Sequence, residues 1–279
     1  MSIRSQFAAL AWVPLLSLAG NSWGGTLDVP GPFSAQPRWS LGPFIGTFSG
    51  PSHENVLNHV NNTMGRLSGG VLASAFTNFD VGTPVGLRLF RAVNEVVSVS
   101  STYSYSQFFT KGAFTPMEWQ SDRSLTTNLH ELELAAHYEL DFVRGNKIEP
   151  YFGVGLDFIL ADSQLAIDLV NVYGVTEDGE EGGPVLPDRS FEIDSSDFGI
   201  GALGLAGLNF NFTRRVALNA EIQGVLGQVR QHFDYDGSLQ YISPGSDGVE
   251  DPQVNDILMG SYPLDLNGLR LAICLLFRI

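Results

Sequence analysis

Five histidines, His53, His59, His130, His137 and His232, are the side chains of this chain best suited to acid–base or metal chemistry. Their spacing argues against both. His53 and His59 stand six apart, which misses the i, i+4 spacing that sets two metal ligands on one helical face. Ester hydrolysis needs a nucleophile, a histidine base and an orienting carboxylate within hydrogen-bond reach. His137 has Glu133 and Glu139 on its own strand parity, and no serine is found at its depth and face, so it reads as an ion-pair residue. His130 falls on the opposite parity. The single Cys274 excludes an internal disulfide and a thiol cluster. The acidic strings EDGEEGG from Glu177 and DYDG from Asp234 lack the regular oxygen-ligand spacing of a calcium loop. The expectation is therefore no catalytic residue, no metal and no cofactor: the chain is not an enzyme.

The elements that carry these side chains are strands. The end of the chain, GLRLAICLLFRI from Gly268 to Ile279, sets Leu269, Leu271, Ile273, Leu275, Phe277 and Ile279 on one face and Arg270, Ala272, Cys274 and Arg278 on the other. Eight such runs are predicted: Trp39–Phe48, Val81–Arg91, Val96–Phe109, Leu125–Phe142, Glu149–Leu165, Phe191–Phe212, Val216–Phe233 and Tyr262–Ile279. The links after the second, fourth and sixth are tight, whereas the others are long and rich in Gly, Pro, Ser, Asp and Asn. So apolar a strand cannot be left as an open edge, and a closed barrel supplies its partner. One stretch breaks the pattern. Ser52 to Leu67 places Val56, Leu57, Val60, Met64 and Leu67 at helical spacing behind a Ser52 cap, predicting a short helix in the first long loop.

Alternation alone does not say which face is inside. A soluble ligand-binding barrel would bury the apolar face, whereas a membrane barrel would turn it outward. The aromatics favour the membrane: Phe142, Phe152, Phe210, Phe212 and Phe277 fall at the tight-turn ends, and Tyr105, Phe108, Phe158, Phe198, Phe233 and Tyr262 near the long loops, predicting two interfacial belts. The predicted interior then holds Arg88, Glu131, Glu133, His137, Glu139, Asn219, Glu221, Gln223, Arg270 and Arg278. Charges in so narrow a lumen must be paired or hydrated. Paired, they fill and rigidify it; hydrated, they line a narrow channel.

Arg4 followed by the apolar run Phe7 to Ala19 and small residues has the order of a secretory signal peptide over 1–24, followed by a Pro-rich periplasmic leader over 25–37 and a barrel over 38–279. Against 15 basic residues stand 30 acidic ones, a formal charge of -15 that excludes nucleic acid as a partner.

On the segments KIEPYFGVGLDFIL (Lys147 to Leu160), FGIGALGLAGLNFNFTRRVALNAEI (Phe198 to Ile222) and the terminal LRLAICLLFRI, the chain resembles the small outer-membrane β-barrels of Gram-negative bacteria, of the OmpA, OmpX and OmpW type. One feature departs from the resemblance: those barrels usually end on an aromatic residue, whereas here Phe277 stands two residues before Ile279. The resemblance implies an all-β, eight-stranded antiparallel transmembrane barrel with short periplasmic turns and long external loops. It also implies contact with outer-membrane lipids, and passage through periplasmic chaperones and the barrel-insertion machinery. A structural or surface-interaction role with a plugged lumen is the first functional expectation; a narrow porin-like channel, or a conduit for small or hydrophobic solutes, is the alternative.

Overall fold

The computed structural model describes residues 39–67, 81–94, 96–114, 119–140, 148–171, 189–213, 215–233 and 260–279. The expected signal segment and leader, and Phe142, lie outside the described residues. Long alternating runs form β1 (Trp39–Ser49), β2 (Val85–Ala92), β3 (Val97–Phe114), β4 (Trp119–Glu139), β5 (Ile148–Asn171), β6 (Arg189–Asn211), β7 (Val216–Phe233), β8 (Gly260–Asp265) and β9 (Gly268–Arg278), with one helix, α1 (Glu54–Leu67), after β1. Each strand is antiparallel to its neighbours, and the β6–β7 and β1–β9 pairings close the sheet into a ring.

The predicted eighth strand is β8 and β9 together. Gln228↔Asp265 and Val225↔Gly268 keep one register across the break. At the break itself the Leu266 N–H still donates to the Gly227 carbonyl at 2.9 Å, and the Asn267 side-chain oxygen accepts from the Gly227 N–H at 3.2 Å. The barrel wall thus has eight positions, as expected. Opposite the break, Gly50 leaves β1 with φ of 129°, and a Cβ there would lie 2.5 Å from Gly268 Cα, so only glycine fits this turn toward α1.

Strand lengths depart from expectation mainly at the mouth end of the barrel. β3, β4 and β5 run past their predicted upper ends, through residues such as Ser121, Asp122, Ser124 and Asp168 whose composition reads as loop. A cross-strand ladder sustains such residues where propensity alone does not. β2 starts four residues late because Pro84, lacking an N–H, contributes only its carbonyl, to Gly46 at 2.9 Å. Two of the tight turns are held by side chains. The Asn94 oxygen accepts from the Val96 and Val97 N–H groups, and the Thr213 hydroxyl from those of Arg215 and Val216.

Ser52 caps α1 through its hydroxyl, which accepts from the Glu54 N–H at 3.2 Å, and its backbone is stitched to Asp265 of β8. Val56, Leu57 and Val60 are buried against Leu125, Leu165, Ile167, Ile193 and Phe233, so the helix lies over the barrel mouth. The side chains of Met64 and Leu67 lie outside the described residues.

Candidate functional site

The interior is layered, and β4 shows the order from mouth to tight-turn end: Leu125, Thr127, Leu129, Glu131, Glu133, Ala135, His137. Beneath the apolar layer that seats α1 lies a thin polar one. There His53 Nε2 meets the Thr127 hydroxyl at 2.9 Å and the Ser163 hydroxyl at 3.3 Å, and Ser163 donates to Gln231 at 3.0 Å. His53 belongs to the loop before α1 and is fully buried; burial pushes its imidazole down to about 3 from the usual 6.5. Below it Phe48, Phe108, Leu129, Ile159, Ala161, Val225, Val229, Leu264 and Leu266 form a second apolar layer.

The main polar network comes next, and two guanidinium groups organise it. Arg88 donates to Thr102 at 2.8 Å, Asn219 at 2.9 Å and Glu221 at 2.9 Å, with Glu133 at 3.8 Å and the Phe44 ring 5.2 Å below its plane. Arg270 donates to Glu131, to Glu133 and, at 3.2 Å, to Gln223; it stacks over Phe48 at 4.6 Å, and Asp157 stands 3.8 Å away. Gln223 links the two halves by donating to Glu133 at 3.1 Å and Glu221 at 2.6 Å. The Tyr151 hydroxyl donates to Glu221 at 2.6 Å and accepts from Asn219 at 2.6 Å. Charge-assisted bonds of this kind, in a dry surround, fix side-chain geometry strongly.

Of the side chains expected in the lumen, Arg88, Glu131, Glu133, Asn219, Glu221, Gln223 and Arg270 meet in this network. Glu139 and Arg278 sit half-buried near the tight-turn end, where Arg278 donates to Asn211. His137 is buried just below the network between the Phe90 and Tyr151 rings. One expectation is corrected here: a serine does share its depth, because Ser100 on β3 places its hydroxyl 2.7 Å from His137 Nε2. Reading one strand at a time missed a partner brought in by cross-strand register. Among the described residues His137 Nδ1 has no hydrogen-bond partner to orient it, and His137 is only 2% exposed, so the pair lacks the third member of a hydrolytic triad there.

Tyr151, Asp157, Thr102 and the stacking rings Phe44 and Phe48 were not anticipated. Tyr151 and Asp157 share parity with Gly153 and Gly155 in a run whose glycines hide its inner face; the parity itself was the available signal. Tyr151 also needs Gly207, where a Cβ would lie 2.4 Å from its ring and hydroxyl. Gly207→Val is expected to expel the ring from the network and cost about 1–3 kcal/mol by overpacking, read as a lower urea midpoint for the lipid-reconstituted barrel.

The outer face carries Ile45, Leu87, Val154, Leu156, Ile200, Ile222, Leu226, Leu271 and Ile273 as exposed aliphatics, with Phe152, Phe212 and Phe277 toward the tight turns and Phe198 toward the mouth. Phe158, Phe210 and Tyr105 are partly covered on the same outer parity. Three expected belt members are corrected. Phe108 and Phe233 are buried in the lumen layers, and Tyr262 packs against Phe233 and α1's His59 inside the mouth. Each lies on inward parity, and the mouth needed apolar filling beneath its helix. Tyr103, Phe109 and Tyr138 are the exposed outer rings that went unnoticed. Above this girdle the outer face turns polar: Tyr103 bonds His130 at 2.9 Å, and Ser196 donates to Asp162 at 2.6 Å.

No family model and no curated protein matches the chain. Solved structures similar to it include Neisserial surface protein A (NspA; 13% identity, TM-score 0.38, 86% of this chain and 96% of that one) and the outer membrane protein OprG from Pseudomonas aeruginosa (10%, 0.42, 86% and 94%). Outer membrane protein AlkL, solved in lipid bilayers, is a third (14%, 0.39, 92% and 97%).

Proposed function

We propose that this chain is an outer-membrane β-barrel whose lumen is closed and whose work is done at its external surface. The observation that carries the reading is the apolar layer of Phe48, Phe108, Leu129 and Ile159, at most 2% exposed, lying across the lumen between two polar layers. A continuous water path would have to cross it and then the helix-capped layer above, and hydrophobic constrictions of this kind exclude water and ions. The girdle of exposed aliphatics and aromatics supports the membrane placement, since a soluble protein seldom exposes so large an apolar surface.

A surface role is supported by the height of one wall. On β5 the outer apolar run ends at Leu160, and the strand continues to Asn171, roughly 25 Å further at ordinary rise and tilt. β1, on the opposite side, already ends at Ser49. The wall built by β3 to β6 therefore rises beyond the bilayer, where only an external partner or solvent can meet it.

Conductance of the protein, refolded from about residue 25 into planar bilayers, tests the reading. The wild type and the Glu133→Gln, Glu221→Gln variant are both expected to be silent once insertion is verified by protease protection. Stepwise currents that change with those substitutions would overturn the closed lumen and establish the channel instead.

A further inference from the structure

Among the described residues, the high wall ends in an open sheet edge. β5–β6 pairing continues up to Leu169↔Arg189, whereas β6–β7 pairing stops at Ile200↔Gln228. From Arg189 to Ser196, β6 is paired with β5 alone among the described residues. Continuing the register past the stop sets Phe233, the end of β7, level with Ser195, so residues 189 to 194 rise above their former neighbour. The parting is a built feature. Asp197 accepts from the His232 backbone N–H at 2.7 Å and from its ring at 3.1 Å, so a side chain takes over β7's donor where the ladder ends.

Successive residues of a strand alternate in the side to which their N–H and C=O groups point. The Gly227 carbonyl faces the β8–β9 side, where it accepts from Leu266, so the even residues of β7, and the even residues of β6 opposite them, face each other. On the upper part of β6 these even positions include Glu192 and Asp194, both exposed on the outer face. The carboxylates of Asp168 on β5 and Asp122 on β4, directly opposite one another in the register, extend the same face. An unpaired strand edge is a template for another strand, and side chains directly across a new pair stand about 5 Å apart. Backbone pairing supplies affinity in such additions, and alternate side chains supply selectivity.

Building on the surface role proposed above, we propose that the β6 edge from Arg189 to Ser196 accepts an extended segment of a partner protein as an added strand, and that the segment carries lysine or arginine at alternate positions facing Glu192 and Asp194. The segment's other face is small or apolar, since it lies toward the side on which Ile193 and Ser195 are buried. Charge selects the partner and the ladder holds it.

The test uses the full mature protein in lipid vesicles and a short fluorescent peptide of alternating lysine and valine. A second peptide of the same sequence carries N-methyl groups on the amides of one edge, and a third has glutamate for lysine. The Glu192→Lys, Asp194→Lys protein serves as the charge variant; both positions are exposed, and its folding is checked by the heat-dependent gel mobility of the barrel. The lysine peptide is expected to bind the wild type, with at least about tenfold weaker binding to the variant, a loss of about 1.4 kcal/mol. The N-methylated and glutamate peptides are expected not to bind. No binding by the lysine peptide, equal binding by the N-methylated peptide, or equal binding to the charge variant would each overturn the proposal. Conductance reads the lumen and the peptide reads the edge: a conducting barrel that still binds the peptide would remove the closed lumen alone, and a silent barrel that ignores it would remove only this partner.

Discussion

Replacing Arg270 with methionine is expected to lower the unfolding free energy of the barrel by about 3–5 kcal/mol, because it strips buried Glu131 of its counter-charge and leaves Glu133 only Arg88, 3.8 Å away. Arg270 is fully buried, makes hydrogen bonds to both carboxylates and to Gln223, and lies over the Phe48 ring, so the loss combines electrostatics with packing. Combining the substitution with Glu131→Gln and Glu133→Gln should recover much of the loss, since the amides are far less costly to bury than unpaired carboxylates. Urea titration in lipid vesicles, with reversibility checked from both directions, measures all three proteins. A loss below about 1 kcal/mol in the single variant would mean that lumen water solvates the carboxylates. The interior would then be wet at that level, and the two apolar layers nearer the mouth would be the barriers left to test.

Acid is expected to loosen the mouth. His53 is neutral where it sits, because burial pushes it down to about 3. When α1 lifts, the imidazole meets water and returns toward its ordinary 6.5. Above about pH 6.5 both forms are neutral, and the closed form keeps its full stability. Below that, the open form takes up a proton that the closed form refuses, so closure weakens as pH falls toward about 3, by at most about 1.4 kcal/mol per unit. Amide hydrogen exchange in α1, corrected for the intrinsic rate at each pH, should therefore show protection falling by up to about tenfold per unit across that window. His53→Gln keeps a polar partner for Thr127 and Ser163 and should flatten the dependence. An unchanged slope in that variant would assign the loosening to other groups.

Much of the architecture was legible in the alternation of residues such as Glu131 to Tyr138, because a strand buried on one face must repeat every second residue. The loop-first helix was legible for the same kind of reason, with Val56, Leu57 and Val60 at helical spacing behind Ser52. What alternation cannot encode is the neighbour across the ladder. Ser100 became the partner of His137, and Tyr151 the partner of Glu221, through registers that place residues of separate strands side by side. Phe108, Phe233 and Tyr262 show the converse: aromatic type and position near a loop suggested an outer belt, yet inward parity decided where they went. The upper reaches of β3 to β6 were illegible because residues such as Gly112, Ser121, Asp122 and Asp168 carry little strand propensity of their own.

The β1–β9 seam joins the two ends of the barrel's sequence, with Ser40 opposite Arg278 and the Ile279 N–H donating to the Trp39 carbonyl at 2.9 Å. Every other neighbouring pair except this one can form as the chain emerges, hairpin by hairpin or across a single connecting loop. Closure needs the first and last strands together, and it carries the largest loop-closure cost of the described pairings. Until that moment β1 and the most recent strand are both open edges in water. The chain is at its most aggregation-prone just before β9 is in place, and a truncation that removes only β9 would leave it in that condition permanently.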